Sequence, residues 1–135
     1  MNTYEQVQEA SSYINAKIDI KPKIGLILGS GLGAFAERID VKLTIPYNNI
    51  PHFPVSSVIG HRGELVLGHI GDTAVAVMNG RVHYYEGHNQ QRVTFPVRVL
   101  SALGIEKLIV TNAAGCINTD FIPGDIMVIS DHINM

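Results

Sequence analysis

Ile24-Gly25-Leu26-Ile27-Leu28-Gly29-Ser30-Gly31-Leu32-Gly33 is the stretch that decides the fold. Residues 24–28 are apolar without polar interruption. A run of that kind, apolar on both faces, suits a central strand of a parallel sheet covered by helices. The glycines after it make a tight loop at the strand's carboxyl end. In open α/β sheets ligands bind outside the carboxyl ends of the strands. The stretch therefore points to an α/β class and to the place where function is to be sought.

Working outward, residues 3–18 read as an amphipathic helix. Tyr4, Val7, Ser11, Ile14 and Ile18 fall at spacings of three and four, and Thr3 with Gln6 fits a capping box. Lys21-Pro22 is expected to end it. On the other side, residues 32–38 suit a short helix, and Tyr47 to Pro54 a loop with two prolines and two asparagines. Glu64 to Ile70 and Thr73 to Met78 look like two strands around a Gly71-Asp72 turn. Val93, Val97, Leu100 and Leu103 mark a second helical stripe, stopped by Gly104, with Pro96 near its first turn or kinking it. Leu108 to Val110 reads as another buried strand, ending in Thr111-Asn112-Ala113-Ala114-Gly115. Ile126 to Ile129 reads as a last strand. The pattern predicts a mixed central β-sheet flanked by helices.

The chain has 135 residues, room for one domain. Apolar residues make up 46% and charged ones 16%, which argues against disorder. Ten basic residues against twelve acidic ones give a net charge of −2, which excludes a strongly basic nucleic-acid binder. No apolar stretch reaches the roughly 18 residues of a membrane span. The N-terminus is polar, and a cytoplasmic protein is the expectation. The one cysteine, Cys116, excludes an intrachain disulfide and a cysteine-rich metal site, and reads as a buried inert thiol.

Three loops carry candidate chemistry. In Gly29-Ser30-Gly31-Leu32-Gly33-Ala34 the glycines let backbone N–H groups point at an anion, and Ser30 adds a hydroxyl donor. The letters also satisfy the G-x-G-x-x-A dinucleotide fingerprint. No carboxylate stands about 20 residues on to meet a ribose, as that motif requires. A tight turn with no ligand is the plain alternative. In Gly80-Arg81-Val82-His83-Tyr84-Tyr85-Glu86-Gly87, Arg81 can grip phosphate bidentately. His83, two residues on, projects to the same side of an extended backbone. Glu86 can hold its tautomer or share its proton. Each of these alone reads as a solvated group; the density of the set favours a site. The third loop, 111–115, has no acid or base. Its small residues, Asn112, Ala113, Ala114 and Gly115, let a flat ligand approach, and its amides can donate to an anion; close packing on a helix explains it equally well. The six histidines, His52 and His61 among them, show no metal-ligand spacing, so no metal is expected.

Together these segments resemble the purine nucleoside phosphorylases of the trimeric type. GSGLG (29–33), IPHFPVSSVIGHRG (50–63), GRVHYYEG (80–87), VTFPVRVLSALGIEKLIVTNAAG (93–115) and PGDIMVISDHIN (123–134) carry the likeness, in the family's order. The related methylthioadenosine-cleaving phosphorylases have different glycine and histidine motifs and are the runner-up. A non-catalytic dinucleotide-binding α/β module is the alternative from another class.

The resemblance implies phosphorolysis: a purine nucleoside and phosphate give free purine and (deoxy)ribose 1-phosphate, in purine salvage. It implies that Ser30, His61, Arg81, His83 and the Ala113 amide bind phosphate. Tyr85 would contact the sugar, and Glu86 would support the phosphate or His83, with His83 and Glu86 the catalytic pair. Gly31, Asn112, Ala114 and Gly115 are further loop contributors. The resemblance implies phosphate as co-substrate, no metal or organic cofactor, and a cytoplasmic homotrimer. Family chains are about twice as long. The expectation is therefore that residues 1–135 form the N-terminal half of a single phosphorylase domain. The purine-reading Glu, the Asn for the leaving base, a second phosphate Ser and a sugar His would lie beyond it. Such a chain alone is expected to turn over negligibly, to expose apolar surface and to associate.

Overall fold

The computed structural model describes residues 1–29, 31–55 and 62–133. Its elements are helix α1 (Thr3–Asn15), strand β1 (Ile24–Leu28), a 3-10 segment (Gly33–Arg38), β2 (Asp40–Pro46), a 3-10 turn (Tyr47–Asn49), β3 (Glu64–Ile70), β4 (Thr73–Asn79), a 3-10 turn (Tyr84–Glu86), helix α2 (Gln90–Ala102) and β5 (Lys107–Val110).

One mixed sheet runs β2-β3-β4-β1-β5. β1 pairs in parallel with β4 on one side and β5 on the other. β2, β3 and β4 pair antiparallel. The apolar run at 24–28 is thus an inner parallel strand, as its lack of polar alternation predicts. Side chains still alternate between the faces. Ile27, Ala76, Met78, Leu65 and Leu67 enter the core under α1 and α2. Leu26, Leu28, Val66, Val75 and Val77 enter a second core, closed by Phe35, Ala36 and Ile39. Both long helices therefore lie on one face, and the 3-10 segment serves the other.

Several expectations shift. The α1 cap is Asn2, not Thr3: the Glu5 N–H donates to Asn2 Oδ1 at 2.9 Å, and the Asn2 N–H to Glu5 Oε2 at 2.9 Å. The capping box is thus moved one residue forward, onto a better capping side chain. α1 ends at Asn15, three residues short of the reading. Tyr4 lies outside its buried stripe of Val7, Ala10, Ser11 and Ile14. In α2 the buried face is Phe95, Pro96, Val99 and Leu100, while Val97 faces solvent. Pro96 stands in the seventh helical position, past the first turn.

β2 was not foreseen. Its residues are mostly exposed, so the core leaves little imprint on its sequence. The strand expected at 126–129 is absent: these residues are exposed and pair with nothing among the described residues. A strand exists through its partner's ladder, and no sheet edge reaches this segment. β5 is one edge of the sheet, and all four of its residues are exposed rather than buried. Ile117, Ile126, Val128 and Ile133 are each 88% exposed or more, in line with the expected apolar surface. Cys116 is exposed, not buried. Among the described residues no helix is long and apolar enough to cross a membrane.

Candidate functional site

The parallel strands β4, β1 and β5 run side by side, so their carboxyl ends share one edge of the sheet. Leu28 stands opposite Asn79, and Ile27 opposite Val110. The segments that follow Leu28, Asn79 and Val110 therefore leave the sheet together. Topology alone gathers the three candidate segments.

Thr111 knits them. Its hydroxyl accepts from the Gly29 N–H at 2.9 Å and donates to the Ile27 carbonyl at 3.0 Å. Its own N–H reaches the same Ile27 carbonyl at 3.0 Å. Arg81 Nη1 donates to the Thr111 carbonyl at 2.8 Å. The packing here leaves no room for a side chain at position 29. A Cβ on Gly29 would stand 2.6 Å from the Thr111 oxygen and 3.0 Å from Asn112 Cα. Gly31 adopts φ +87°, a left-handed conformation that glycine takes without strain.

After Arg81 the chain makes one 3-10 turn. Glu86 Oε1 accepts from the His83 N–H at 2.6 Å, and the Glu86 N–H donates to the His83 carbonyl at 3.1 Å. Glu86 thus fixes the backbone of His83. The His83 ring stacks on Tyr85, centroids 4.7 Å apart and 12° from parallel. Arg81, His83 and Glu86 are half-buried, and Tyr85 is exposed. Gly87 closes the turn at φ +88°.

A second network stands at the same end of β4. The Tyr47 hydroxyl, buried, donates to the Gly80 carbonyl at 2.7 Å. Asn79 Nδ2 donates to Glu64 Oε1 at 2.9 Å. The Gly63 N–H donates to the Asn79 carbonyl at 3.0 Å. Burial, with the Glu64 charge beside it, pushes the Tyr47 phenol well above its usual range, so it stays a donor.

Of the sequence-derived candidates, Arg81, His83, Tyr85, Glu86 and Gly31 come to this edge with the 111–115 loop. Asn112, Ala113, Ala114 and Gly115 are exposed. Asn112, Ala114 and Gly115 border an open cavity of about 400 Å³ that Phe121, Pro123 and Met127 help to line. Ser30 and His61 lie outside the described residues. Sequence reasoning missed Thr111, Tyr47 and Asn79. A Thr at a parallel strand end, next to a glycine loop, is a signal for the first. Tyr47 sits among prolines and asparagines and gives none. Among the described residues no three His, Cys, Asp or Glu are grouped to hold a metal ion.

Chemically, a guanidinium, an imidazole and neighbouring backbone N–H groups at one sheet edge are groups that can hold an anion. A family model described as the phosphorylase superfamily matches residues 23–135. The chain belongs to that superfamily. It is 56% identical over 128 residues to purine nucleoside phosphorylase 1 of Geobacillus stearothermophilus, covering 95% of this chain and 47% of that protein. It is 46% identical over 133 residues to the purine nucleoside phosphorylase of Bos taurus, covering 98% of this chain and 46% of that one. The structure resembles the Schistosoma mansoni purine nucleoside phosphorylase isoform 2 in complex with cytosine and ribose-1-phosphate. There the TM-score is 0.83 at 45% identity, covering 90% of this chain and 43% of the other. The chain spans about half the length of the curated relatives it matches.

Proposed function

We propose that this superfamily chain carries the phosphate-binding part of a purine nucleoside phosphorylase site. The reaction is attack of phosphate on the anomeric carbon of a purine (deoxy)ribonucleoside. It releases the purine and leaves (deoxy)ribose 1-phosphate. The observation that carries the reading is the junction of Arg81, Thr111 and Gly29, which ties three strand ends together around the Arg81 guanidinium. The similarity to purine nucleoside phosphorylases over nearly the whole chain supports the substrate class.

In this reading Arg81, His83, Ser30, His61 and the Ala113 amide hold the phosphate dianion. Gly31, Asn112, Ala114 and Gly115 shape the loops around it. Tyr85 faces the sugar, and Glu86 sets His83. As the base departs the sugar gains oxocarbenium character. A dianion held beside it stabilises that charge and is already placed to bond. The chemistry calls for phosphate as co-substrate and for no metal or organic cofactor. On the family resemblance, residues 1–135 are the N-terminal half of one phosphorylase domain, working in a cytoplasmic homotrimer. Base recognition is then the task of the remaining half.

Calorimetric titration of the 135-residue chain with inorganic phosphate, beside an inosine phosphorolysis assay, tests this. Phosphate binding with negligible turnover is the expected pair of results. Binding of NAD with no binding of phosphate overturns the reading in favour of a dinucleotide module. Normal turnover by this chain alone overturns the division of labour.

A further inference from the structure

The two peptide groups immediately before Arg81 are both pinned through their carbonyls. The Asn79 carbonyl accepts from the Gly63 N–H at 3.0 Å, and the Gly80 carbonyl accepts from the Tyr47 hydroxyl at 2.7 Å. Gly80 turns at φ +102°, a conformation other residues rarely adopt, so the chain bends sharply there. Arg81 leaves the backbone from that bend and crosses to the Thr111 carbonyl at 2.8 Å.

Tyr47 is built for holding rather than for contact with a ligand. It is 2% exposed, and its ring packs on Phe53 with centroids 5.3 Å apart. Its N–H donates to the Gly63 carbonyl at 2.8 Å, which closes a loop of bonds through Gly63, Asn79 and Gly80. Burial, and then the charge of Glu64, itself bonded to Asn79, keeps the phenol protonated. A phenol locked as donor, against a carbonyl one residue from an anion-gripping arginine, fixes the direction in which that arginine projects.

We propose that Tyr47 is a positioning residue for the anion site, acting through the Gly80 peptide on Arg81. The proposal rests on the phosphate reading above. It assigns a role in that site to a side chain that cannot touch the substrate.

The test is a double-mutant cycle on the 135-residue chain, with Tyr47→Phe, Arg81→Lys and the pair, titrated with inorganic phosphate. Phe fills the same volume, so only the hydroxyl is lost. Tyr47→Phe is expected to weaken phosphate binding roughly tenfold, the scale of one lost hydrogen bond at a buried carbonyl. In the Arg81→Lys background the same change is expected to cost less than about twofold, because a residue acting through Arg81 has nothing left to act on. Val99→Ala, in the same core but on α2, is the control: it lowers stability and leaves phosphate affinity unchanged. Wild-type affinity in Tyr47→Phe overturns the inference, as does full additivity in the pair, or equal weakening in Val99→Ala. Failure of the wild-type chain to bind phosphate strikes the anion-site reading itself and takes this inference with it.

Discussion

Arg81 and Thr111 lie 30 residues apart in sequence and are joined at the sheet edge by a 2.8 Å hydrogen bond. The guanidinium meets the Thr111 carbonyl while the Thr111 hydroxyl accepts from Gly29 and donates to Ile27. One threonine therefore holds the end of β1 with its side chain and the arginine from the end of β4 with its backbone. The three strand ends are consequently one mechanical unit rather than three adjacent loops.

Removing that hydroxyl separates the two tasks. Thr111→Val keeps the branched shape and the carbonyl but leaves the Gly29 N–H without its acceptor. The site is half-buried, so a loss of about 1–2 kcal/mol is expected. On the proposed function phosphate affinity falls with it, because Gly29 precedes the loop assigned to the phosphate. Thr111→Ser restores most of both. Urea unfolding and phosphate titration read the two effects, and a Thr111→Val midpoint equal to wild type contradicts the account.

Gly29→Ala tests the closeness of the loops. Its Cβ would stand 2.6 Å from the Thr111 oxygen, a backbone atom that cannot swing aside. The loops must part, at about 1–3 kcal/mol of overpacking. Gly68→Ala makes a comparable clash, against the Asp40 carbonyl, where β3 meets β2. Both variants should melt early. Only Gly29→Ala should also lose thermal stabilisation by added phosphate. If Gly68→Ala loses it equally, the effect reports general loosening and not the site.

The inner parallel strand, the hairpin around Gly71 and both long helices were legible in the sequence, because burial on one or both faces writes a period into the residues. The strand ends were legible as places, since glycine and small residues stand there for steric reasons. β2 was not, because its side chains are mostly exposed and the core does not select them. The apolar letters of 126–129 misled for the opposite reason. They signal burial, and only a neighbouring ladder turns burial into a strand. The site showed the same division. Arg81, His83 and Glu86 announce themselves by chemistry. Thr111 and Tyr47 act through hydrogen bonds that span long sequence separations, and local pattern carries no trace of such bonds.

Glu86 offers a choice between two roles that substitution can separate. Its carboxylate accepts from the His83 N–H at 2.6 Å, a bond that the amide oxygen of glutamine can reproduce. If the side chain acts by fixing the His83 backbone, Glu86→Gln keeps phosphate affinity within about threefold, while Glu86→Ala loses roughly tenfold, the scale of one orphaned donor. If the negative charge itself matters, Gln and Ala behave alike. Calorimetric titration with phosphate at pH 7 distinguishes the patterns, and equal losses in the two variants reject the positional role.

The buried phenol makes alkaline stability a reporter of Tyr47. Burial, and then the Glu64 charge, raise its pKa above the usual value of 10. In the unfolded chain the phenol ionises near that usual value, whereas in the folded chain it stays protonated. The stabilisation is therefore complete below pH 10 and declines as the pH rises towards the folded pKa. One proton sets the limiting slope, about 1.4 kcal/mol per pH unit. Urea unfolding between about pH 9 and 11.5 should show the wild-type midpoint falling more steeply than that of Tyr47→Phe. Every other group is the same in both chains, so the difference between the two curves belongs to Tyr47 alone. Parallel curves would show that its hydroxyl ionises as readily in the folded chain as in water, which is incompatible with a phenol buried against the Gly80 carbonyl.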